Sequence, residues 1–347
     1  MSVLAAAYAA AARARRRTYE RHPDRQRRLR QPVISVGNIA VGGSGKTPAV
    51  AHIAGLLVAS GERPAILSRG YRRREPTDGA LVVSDGRHLL ADLRRAGDEP
   101  LMLARAVPGA VVVVGADRHV SGLVAERRLH CSVHVLDDGF QHVQLRRDVD
   151  IVLLAPEDLQ GRVLPDGRLR EGLSALRRAD AIVVNTNAEV NVQAVVQRTG
   201  VPTVFRAVTG LRRPDSGFAA GSAAPVLAVA GIARPGRFFD LLASSGWRVA
   251  GRVVFPDHHW FTRADLDRIV RAAAAAGAAG IVTTEKDLVR LLPFRPFPTP
   301  VVAAHLDMTI EPAPDQGSAP SIGTARFPDW LAAQLAAARA ASPEQRA

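Results

Sequence analysis

The chain has 347 residues, a formal net charge of +13 and a single cysteine, Cys131. One cysteine excludes an internal disulfide framework and a multi-cysteine metal site, and its place in the apolar run CSVHVL predicts a small buried core residue. The length suggests about two domains. No apolar run reaches the roughly 18 residues of a membrane-spanning helix. The excess of arginine indicates an acidic partner, which is a nucleic acid, an anionic membrane or a phosphorylated substrate.

The first 30 residues combine an alanine-rich apolar start with a basic stretch. MSVLAAAYAAAA is followed by nine arginines and two acids in residues 13–30. A signal peptide carries its positive charge before its apolar run, so this order argues against one. An interfacial anchor on anionic lipid and a solvated N-terminal helix are both compatible with this segment alone.

From Pro32 onward, continuous apolar strands alternate with helices. This pattern predicts an α/β fold with a parallel sheet covered on both faces. The predicted strands of the first part are PVISVGNIAV, PAILSRG, LVVSDG, AVVVVG, VHVLDDG, VDIVLLAP and ADAIVVNT. The predicted helices there are TPAVAHIAGLLVASG, DEPLMLARAV and residues 121–128.

Residues 210–225 lose this periodicity and are rich in glycine, serine and proline. They predict the passage to a second, smaller α/β unit, in which strands and helices alternate again. We therefore divide the chain into an N-terminal basic helix (1–30), a P-loop NTPase-like parallel sheet domain (31–210), a smaller α/β domain (211–312) and a tail (313–347). The segment DWLAAQLAAARA predicts a short helix in that tail.

The phosphate-binding signal is AVGGSGKT at residues 40–47, between a predicted strand and a predicted helix. It differs from the strict P-loop pattern only at Ala40. Its glycines let backbone N–H groups turn toward a phosphate, and the helix adds its positive end. Lys46, one of only two lysines in the chain, would hold the β- and γ-phosphates, and Thr47 would bind Mg²⁺. The residues predicted to bind ATP are Gly42, Gly43, Ser44, Gly45, Lys46 and Thr47.

Two pairs of acids accompany this loop. Asp137 and Asp138 follow the apolar strand VHVL, at the end of a strand where α/β sheets gather their sites. A simple Asp-Gly turn is the alternative. Asp98 and Glu99 stand just before a predicted helix, where Asp98 could equally serve as a helix N-cap.

The second unit carries the segments PDHH (256–259) and TTEKD (283–287). Histidines in a loop can bind a metal, but no further ligand spacing supports zinc. Lys286 could form an ion pair at a helix end or contact nucleotide or substrate, and the structural role is favoured.

A series of motifs resembles the tetraacyldisaccharide 4′-kinase family. These motifs are VGNIAVGGSGKTP, SRGY, GDEP, LDDGFQH, RRADAIVVN, AGIARPGRFFDLL, FPDHH and TEKD, in that order, over roughly residues 30–310. The resemblance implies a kinase that uses ATP and Mg²⁺ to phosphorylate the 4′-hydroxyl of a lipid-linked disaccharide 1-phosphate, the lipid A precursor. It also implies a peripheral or monotopic protein on the cytoplasmic face of the inner membrane, with no nucleic-acid partner and no obligate protein partner.

Carried over position by position, the resemblance makes Asp98 the general base, with His258 of the second unit completing a dyad. Gln141 and Tyr71 are expected near the reaction cleft. The metal side is expected to comprise Thr47, Glu99, Asp137, Asp138 and Glu171, and which of the acids binds the ion directly stays open.

One segment departs from the family's usual pattern. In residues 163–172, Arg170 and Glu171 match, whereas Asp166, Arg168 and Gly172 do not. The shape of this loop and its acceptor contacts are therefore not given by the resemblance.

Two other function classes compete with a kinase. The first is a P-loop switch ATPase or GTPase that acts through a protein partner. A partition-type ATPase carries a lysine where this chain has Val41, and a GTPase carries an N-K-x-D motif that Asn185-Thr-Asn-Ala lacks. A nucleic-acid-binding module would use the positive charge, but no zinc finger or basic strand interleaved with aromatics supports it.

Overall fold

A computed structural model of the chain describes residues 2–42, 45–71, 73–212, 224–313 and 325–341. Gly43 and Ser44, both predicted to bind phosphate, lie outside the described residues. The helices are α1 (Val3–Arg21), α2 (Lys46–Ala59), α3 (Leu93–Ala96), α4 (Asp98–Ala106), α5 (Arg118–Leu129), α6 (Val192–Thr199), α7 (Pro235–Ser244), α8 (Arg263–Ala275), α9 (Glu285–Leu291) and α10 (Phe327–Ala340). The strands are β1 (Val33–Asn38), β2 (Pro64–Ser68), β3 (Leu81–Asp85), β4 (Val111–Val114), β5 (Val133–Asp137), β6 (Val149–Leu154), β7 (Ala181–Asn185), β8 (Val204–Arg212), β9 (Val226–Ala230), β10 (Val249–Val254), β11 (Gly280–Thr284) and β12 (Val301–Pro312).

The chain forms two compact units. The first comprises Met1–Val208 and Met308–Ala347, and the second comprises Thr209–Asp307. The C-terminal helix α10 thus belongs to the first unit. The functional division of the chain proposed above stays a prediction.

The first unit is built on a sheet with the strand order β8-β7-β6-β1-β5-β2-β4-β3. The predicted α/β class with a parallel sheet is confirmed, with one exception at β3, which pairs antiparallel with β4. β3 lies at the edge of the sheet and is only partly buried. Because helices need not cover both of its faces, the strand can run antiparallel to its single neighbour. The other strands of this unit run parallel. Their carboxyl ends, including those of β1 and β5, meet at one edge.

The core of the first unit lies on both faces of this sheet. Every residue of β1, β5 and β6 is buried, as expected for central strands covered by helices. Cys131 is buried in a hydrophobic cluster with Val33, Val113 and Leu136, which confirms its predicted core role, and burial raises the pKa of its thiol to about 11.

Helix α1 packs one face on the first unit, burying Ala5, Ala9 and Arg16. Ser2 caps its N-terminus by accepting a hydrogen bond from the Ala5 N–H at 3.2 Å. Across the described ranges, none of the helices combines the length and the apolar character needed to cross a membrane.

The second unit has the parallel strand order β10-β9-β11-β12. Strand β9 has a cluster on each face: Ala228 packs with the α7 residues Phe238 and Leu242, and Val229 packs with Ile269 of α8. This alternation follows from the two-residue period of a strand. Both faces of the small sheet are therefore covered by helices.

Candidate active site

The loop between β1 and α2 has the backbone of a phosphate-binding loop where the structure describes it. Gly42 has a φ of 105° and Gly45 a φ of 83°, values that only glycine adopts without strain. Helix α2 begins at Lys46 directly after Gly45, and half-buried Thr47 lies in its first turn. The free N–H groups and the positive end of α2 therefore form a setting that favours an anion at this point.

Asn38 positions the lysine of this loop. It is the last residue of β1 and is fully buried. Its Nδ2 donates to the Ala40 carbonyl at 2.7 Å, and its Oδ1 accepts from Lys46 Nζ at 3.0 Å. Sequence reasoning missed Asn38, although a polar residue ending a buried apolar strand was a usable signal.

Asp138 stands opposite the same lysine. Its Oδ1 lies 3.4 Å from Lys46 Nζ, and its Oδ2 accepts from Arg170 Nη1 at 2.9 Å. Burial acts to raise the pKa of this carboxyl, but the charges of Lys46 and Arg170 outweigh burial and hold the pKa below its ordinary value. The structure thus brings together Lys46 and Asp138, two of the predicted site residues.

Asp137 is a buried carboxyl at the end of β5. It accepts from the Ser68 hydroxyl at 3.0 Å. Burial, together with the negative charges of Glu99 and Asp138, raises its pKa to about 6. Three of the acids predicted for the metal side therefore share one electrostatic environment.

Asp98 is the first residue of α4 and is buried. The residue that caps this helix is Gly97, with a φ of 86°, so the alternative role of Asp98 as the N-cap is wrong. Its Oδ1 accepts from the Glu99 N–H at 3.0 Å. Burial of a carboxylate at a helix N-terminus is a common setting for a catalytic acid or base.

The divergent loop 163–172 packs on the phosphate-binding loop. The Val41 N–H donates to the Arg168 carbonyl at 2.8 Å, and the Arg168 guanidinium donates back to the Val41 carbonyl at 3.2 Å. Ala40 and Leu169 form an isolated antiparallel bridge. Arg168, one of the residues that depart from the family pattern, therefore supports the backbone beside Gly42.

Glu171 is engaged by helix α1. Both of its carboxylate oxygens accept from buried Arg16, at 2.9 Å from Nε and 2.7 Å from Nη2. Arg16 also donates to the Phe140 carbonyl at 3.2 Å, and its guanidinium lies 4.5 Å from the centre of the Phe140 ring. Arg16 therefore ties α1 both to Glu171 and to the turn that carries Asp137 and Asp138, and the metal role of Glu171 stays a prediction.

The two residues expected near the cleft differ in setting. Gln141 donates to the Asn38 carbonyl at 2.8 Å and accepts from Arg170 at 3.3 Å, so it belongs to the same network. Tyr71 is largely exposed.

In the second unit, the two neighbouring histidines have different surroundings. His259 Nε2 lies 3.0 Å from Asp265 Oδ2, and its ring stacks on Phe255 with the centres 4.8 Å apart. His258 adopts a φ of 59° and lies against Lys286 and Arg290. Asp98 and His258 thus belong to different units, and their predicted dyad stays a prediction.

Comparison with known proteins gives a consistent result. The profile of the tetraacyldisaccharide-1-P 4′-kinase family matches residues 1–318. This chain belongs to that family. The tetraacyldisaccharide 4′-kinase of Anaeromyxobacter sp. (strain Fw109-5) is 44% identical over 317 residues, which cover 86% of this chain and 84% of that protein. The protein of the same name from Geobacter metallireducens is 42% identical over 330 residues, 90% of this chain and 95% of that protein.

A solved family structure agrees in fold. The "apo" form of LpxK from Aquifex aeolicus, in complex with ATP, is 34% identical, with a TM-score of 0.74, and the match covers 89% of this chain and 93% of that chain. The family resemblance drawn from the sequence motifs is therefore confirmed.

The acids of this family member suit a divalent cation bound through a nucleotide. Across the described residues, no three side chains among His, Cys, Asp and Glu converge as a ready-made metal site. Mg²⁺ commonly takes only one or two protein carboxylates and completes its shell with water and phosphate oxygens. Burial and the negative charges of Glu99 and Asp138 together raise the Asp137 pKa, and a bound cation would offset both effects.

The raised pKa of this buried carboxyl predicts a pH-dependent gain in stability for Asp137→Asn. Because the folded pKa is about 6 rather than the ordinary 3.8, ionising Asp137 costs the folded state free energy. The cost grows as pH rises between these values and is complete above about pH 6. It amounts to at most about 3 kcal/mol.

Asn cannot ionise, so we expect the metal-free variant to be more stable than the wild type at pH 8. The advantage should shrink at pH 4, where the wild-type carboxyl is protonated when folded. Urea unfolding at both pH values measures this. An equal difference in unfolding free energy at pH 8 and pH 4 would show that the pKa of Asp137 is not raised.

Proposed function

We propose that this protein transfers the γ-phosphate of ATP to the 4′-hydroxyl of a tetraacyldisaccharide 1-phosphate. The observation that carries the proposal is the Asn38–Lys46–Asp138 arrangement at the mouth of a glycine loop, in a chain whose family is named for this reaction. A family structure described as a complex with ATP supports the choice of nucleotide.

Charge neutralisation is the main task of such a site, because the transferred phosphoryl group passes through a loose transition state. Lys46 and the N–H groups at the start of α2 would bind the β- and γ-phosphates. Asn38 holds the Lys46 ammonium at 3.0 Å and so orients it before the nucleotide arrives. Glycines 42, 43 and 45 and Ser44 would form the rest of the cradle.

Mg²⁺ would be held on the acidic side of the cradle. The Thr47 hydroxyl would be one ligand, and Asp137, Asp138 and Glu99 would be the carboxylates available to the ion. When bound, the ion neutralises charge on the phosphates. Glu171 supports the Asp138 turn through Arg16, and the family resemblance implies in addition a place on the metal side.

Removal of the acceptor proton falls to Asp98. A sugar hydroxyl is a weak acid, so a positioned carboxylate must take its proton during attack. We keep His258 as the partner that completes the dyad. This pairing rests on the family resemblance.

The test is a phosphate-transfer assay with radiolabelled ATP, Mg²⁺ and the disaccharide 1-phosphate lipid in detergent micelles. We expect label in the lipid, dependent on all three components. ATP hydrolysis without labelled lipid would instead support a switch ATPase, and the absence of Mg²⁺-dependent ATP binding would end the kinase interpretation.

We also propose that α1 attaches the protein to the cytoplasmic leaflet of the inner membrane. Its exposed face presents Val3 and Leu4, 85% and 71% exposed. Further along the same helix, a groove is lined by Arg13, Arg17 and Arg21. Apolar residues followed by cations suit the surface of an anionic bilayer.

Cosedimentation with vesicles tests this attachment. Binding is expected to vesicles that contain phosphatidylglycerol and to fall with added salt. The double variant Val3→Asp, Leu4→Asp should lose most of it, while kinase activity in micelles persists. Equal binding to neutral and anionic vesicles, or unchanged binding of the variant, would contradict the assignment.

A further inference from the structure

Two motifs that are distant in sequence meet in the second unit. His258 of FPDHH lies between two cationic side chains that follow β11. Arg290 Nη2 is 3.2 Å from His258 Nδ1, and Lys286 Nζ is 3.4 Å from His258 Nε2. The positive φ of His258, 59°, is unusual for a residue with a side chain and marks a backbone that its surroundings hold in place.

Arg290 is rigidly held. Its side chain is 3% exposed and that of its partner Asp287 is 0% exposed. Arg290 Nη1 donates to Asp287 Oδ1 at 3.0 Å and to the Gly231 carbonyl at 3.1 Å. The other Asp287 oxygen accepts from the Gly231 N–H at 2.9 Å. The Gly231 backbone thus binds both members of this buried ion pair. The orientation of the Arg290 guanidinium is therefore fixed, and its Nη2 points at His258.

That direction decides where the imidazole proton lies. A guanidinium only donates and does not lose its proton in proteins, so Nδ1 must offer it a lone pair. The single proton of the ring is then on Nε2. Lys286 also donates, but its contact is longer and its side chain is flexible, whereas Arg290 is locked. Two donors cannot both bind a lone pair of one neutral ring that carries a proton, so the fixed contact of Arg290 at Nδ1 is the one that sets the tautomer.

We propose that Arg290, held by Asp287, is a positioning residue that fixes His258 as the Nε2–H tautomer. This inference deepens the proposed function, because it specifies that His258 offers its catalytic partner an N–H group instead of a lone pair. It also gives TEKD a role: Asp287 of this motif braces the arginine that orients the histidine.

The direct test reads the tautomer without substrate. The protein is labelled with ¹⁵N-histidine, and the His258 signals are assigned by their loss in His258→Gln. Long-range ¹H–¹⁵N correlation at pH 8 should show an unprotonated Nδ1 and a protonated Nε2. His259 serves as an internal reference, since its Nε2 faces the Asp265 carboxylate and should report Nε2–H throughout. A protonated Nδ1 on His258 in the wild type would overturn the proposal.

Variants test the cause. Arg290→Met alone would leave the buried Asp287 carboxylate without its ion-pair partner. We therefore choose the double variant Asp287→Asn, Arg290→Met, in which both side chains are neutral, and check its folding by circular dichroism. It should give a mixture of His258 tautomers and lower kcat about tenfold to a hundredfold, the usual effect of losing an orienting partner, with KM for ATP unchanged. Lys286→Met should retain the wild-type tautomer. If the pair variant keeps a pure Nε2–H tautomer, or if Lys286→Met loses it, Arg290 is not what fixes the ring.

The outcomes for the inference and for the proposed reaction are separable. If His258 shows the expected tautomer but the protein does not phosphorylate the lipid, only the proposed function is contradicted. If the protein phosphorylates the lipid but His258 is protonated on Nδ1, only the assignment of the tautomer to Arg290 is contradicted.

Discussion

Lys46→Met is expected to lower kcat by about a hundredfold to a thousandfold, the usual effect of removing one group that stabilises charge in the transition state. In this structure Lys46 is oriented by Asn38 at 3.0 Å and lies 3.4 Å from Asp138. Its loss removes the side-chain cation at the start of α2 and leaves the Asn38 oxygen without that donor. Steady-state kinetics with varied ATP and saturating lipid measure the effect.

Two controls separate charge from shape. Lys46→Arg keeps a positive charge, but its planar fork does not reproduce the compact ammonium held by Asn38, so it should restore only part of the activity. Arg198→Met removes a cation from the exposed end of α6 and should leave kcat unchanged. A Lys46→Met enzyme with wild-type kcat would contradict the assigned phosphate role.

Asp98→Asn should lower kcat by about a hundredfold to ten-thousandfold, the contribution typical of a general base. Asparagine keeps the size of the side chain and an oxygen that can accept from the Glu99 N–H, the 3.0 Å contact that Asp98 makes now. The variant therefore keeps the start of helix α4 and the fold, and it loses only the carboxylate that acts as the base. Affinity for ATP, measured by calorimetry, should stay near that of the wild type.

Asp92→Asn is the matched control. Asp92 caps α3, accepting from the Arg95 N–H at 3.0 Å, and it is exposed. Its replacement by asparagine retains a good N-cap and should leave turnover intact. Asp98 would lose its role as base if Asp98→Asn turned over lipid at the wild-type rate.

The parts of the fold with strong periodicity were predictable. Buried apolar strands such as β1 and β5 and the glycine loop that follows β1 could be read directly, because burial on both faces demands continuous apolar runs. The direction of β3 could not, since an edge strand is constrained on one side only. Helix α6 and strand β8 were not predicted. For α6, the sequence VQAVVQRT is as compatible with a strand as with a helix.

The candidate site was predictable in its residue types but not in its connections. Lys46, Asp137 and Asp138 carry their chemistry in local motifs. Asn38 lies eight residues from Lys46 along the chain and sits in a strand, where its polar side chain is the only hint.

Long-range pairs were the least accessible to sequence reasoning. The Arg16–Glu171 pair joins residues 155 positions apart, and no local pattern encodes it. The same holds for Asp166, which departs from the family pattern and accepts hydrogen bonds from Ser2 at the start of α1. Both contacts bind α1 to the loop that supports the phosphate-binding segment.

The position of the new phosphate tests the proposed reaction most directly. Lipid product from ATP and the disaccharide 1-phosphate is isolated and examined by ³¹P–¹H correlation. We predict a second phosphorus signal coupled to the proton at C4′ of the distal sugar. Orthophosphate release with only the original 1-phosphate on the lipid, or phosphate at another hydroxyl, would contradict transfer to the 4′-hydroxyl.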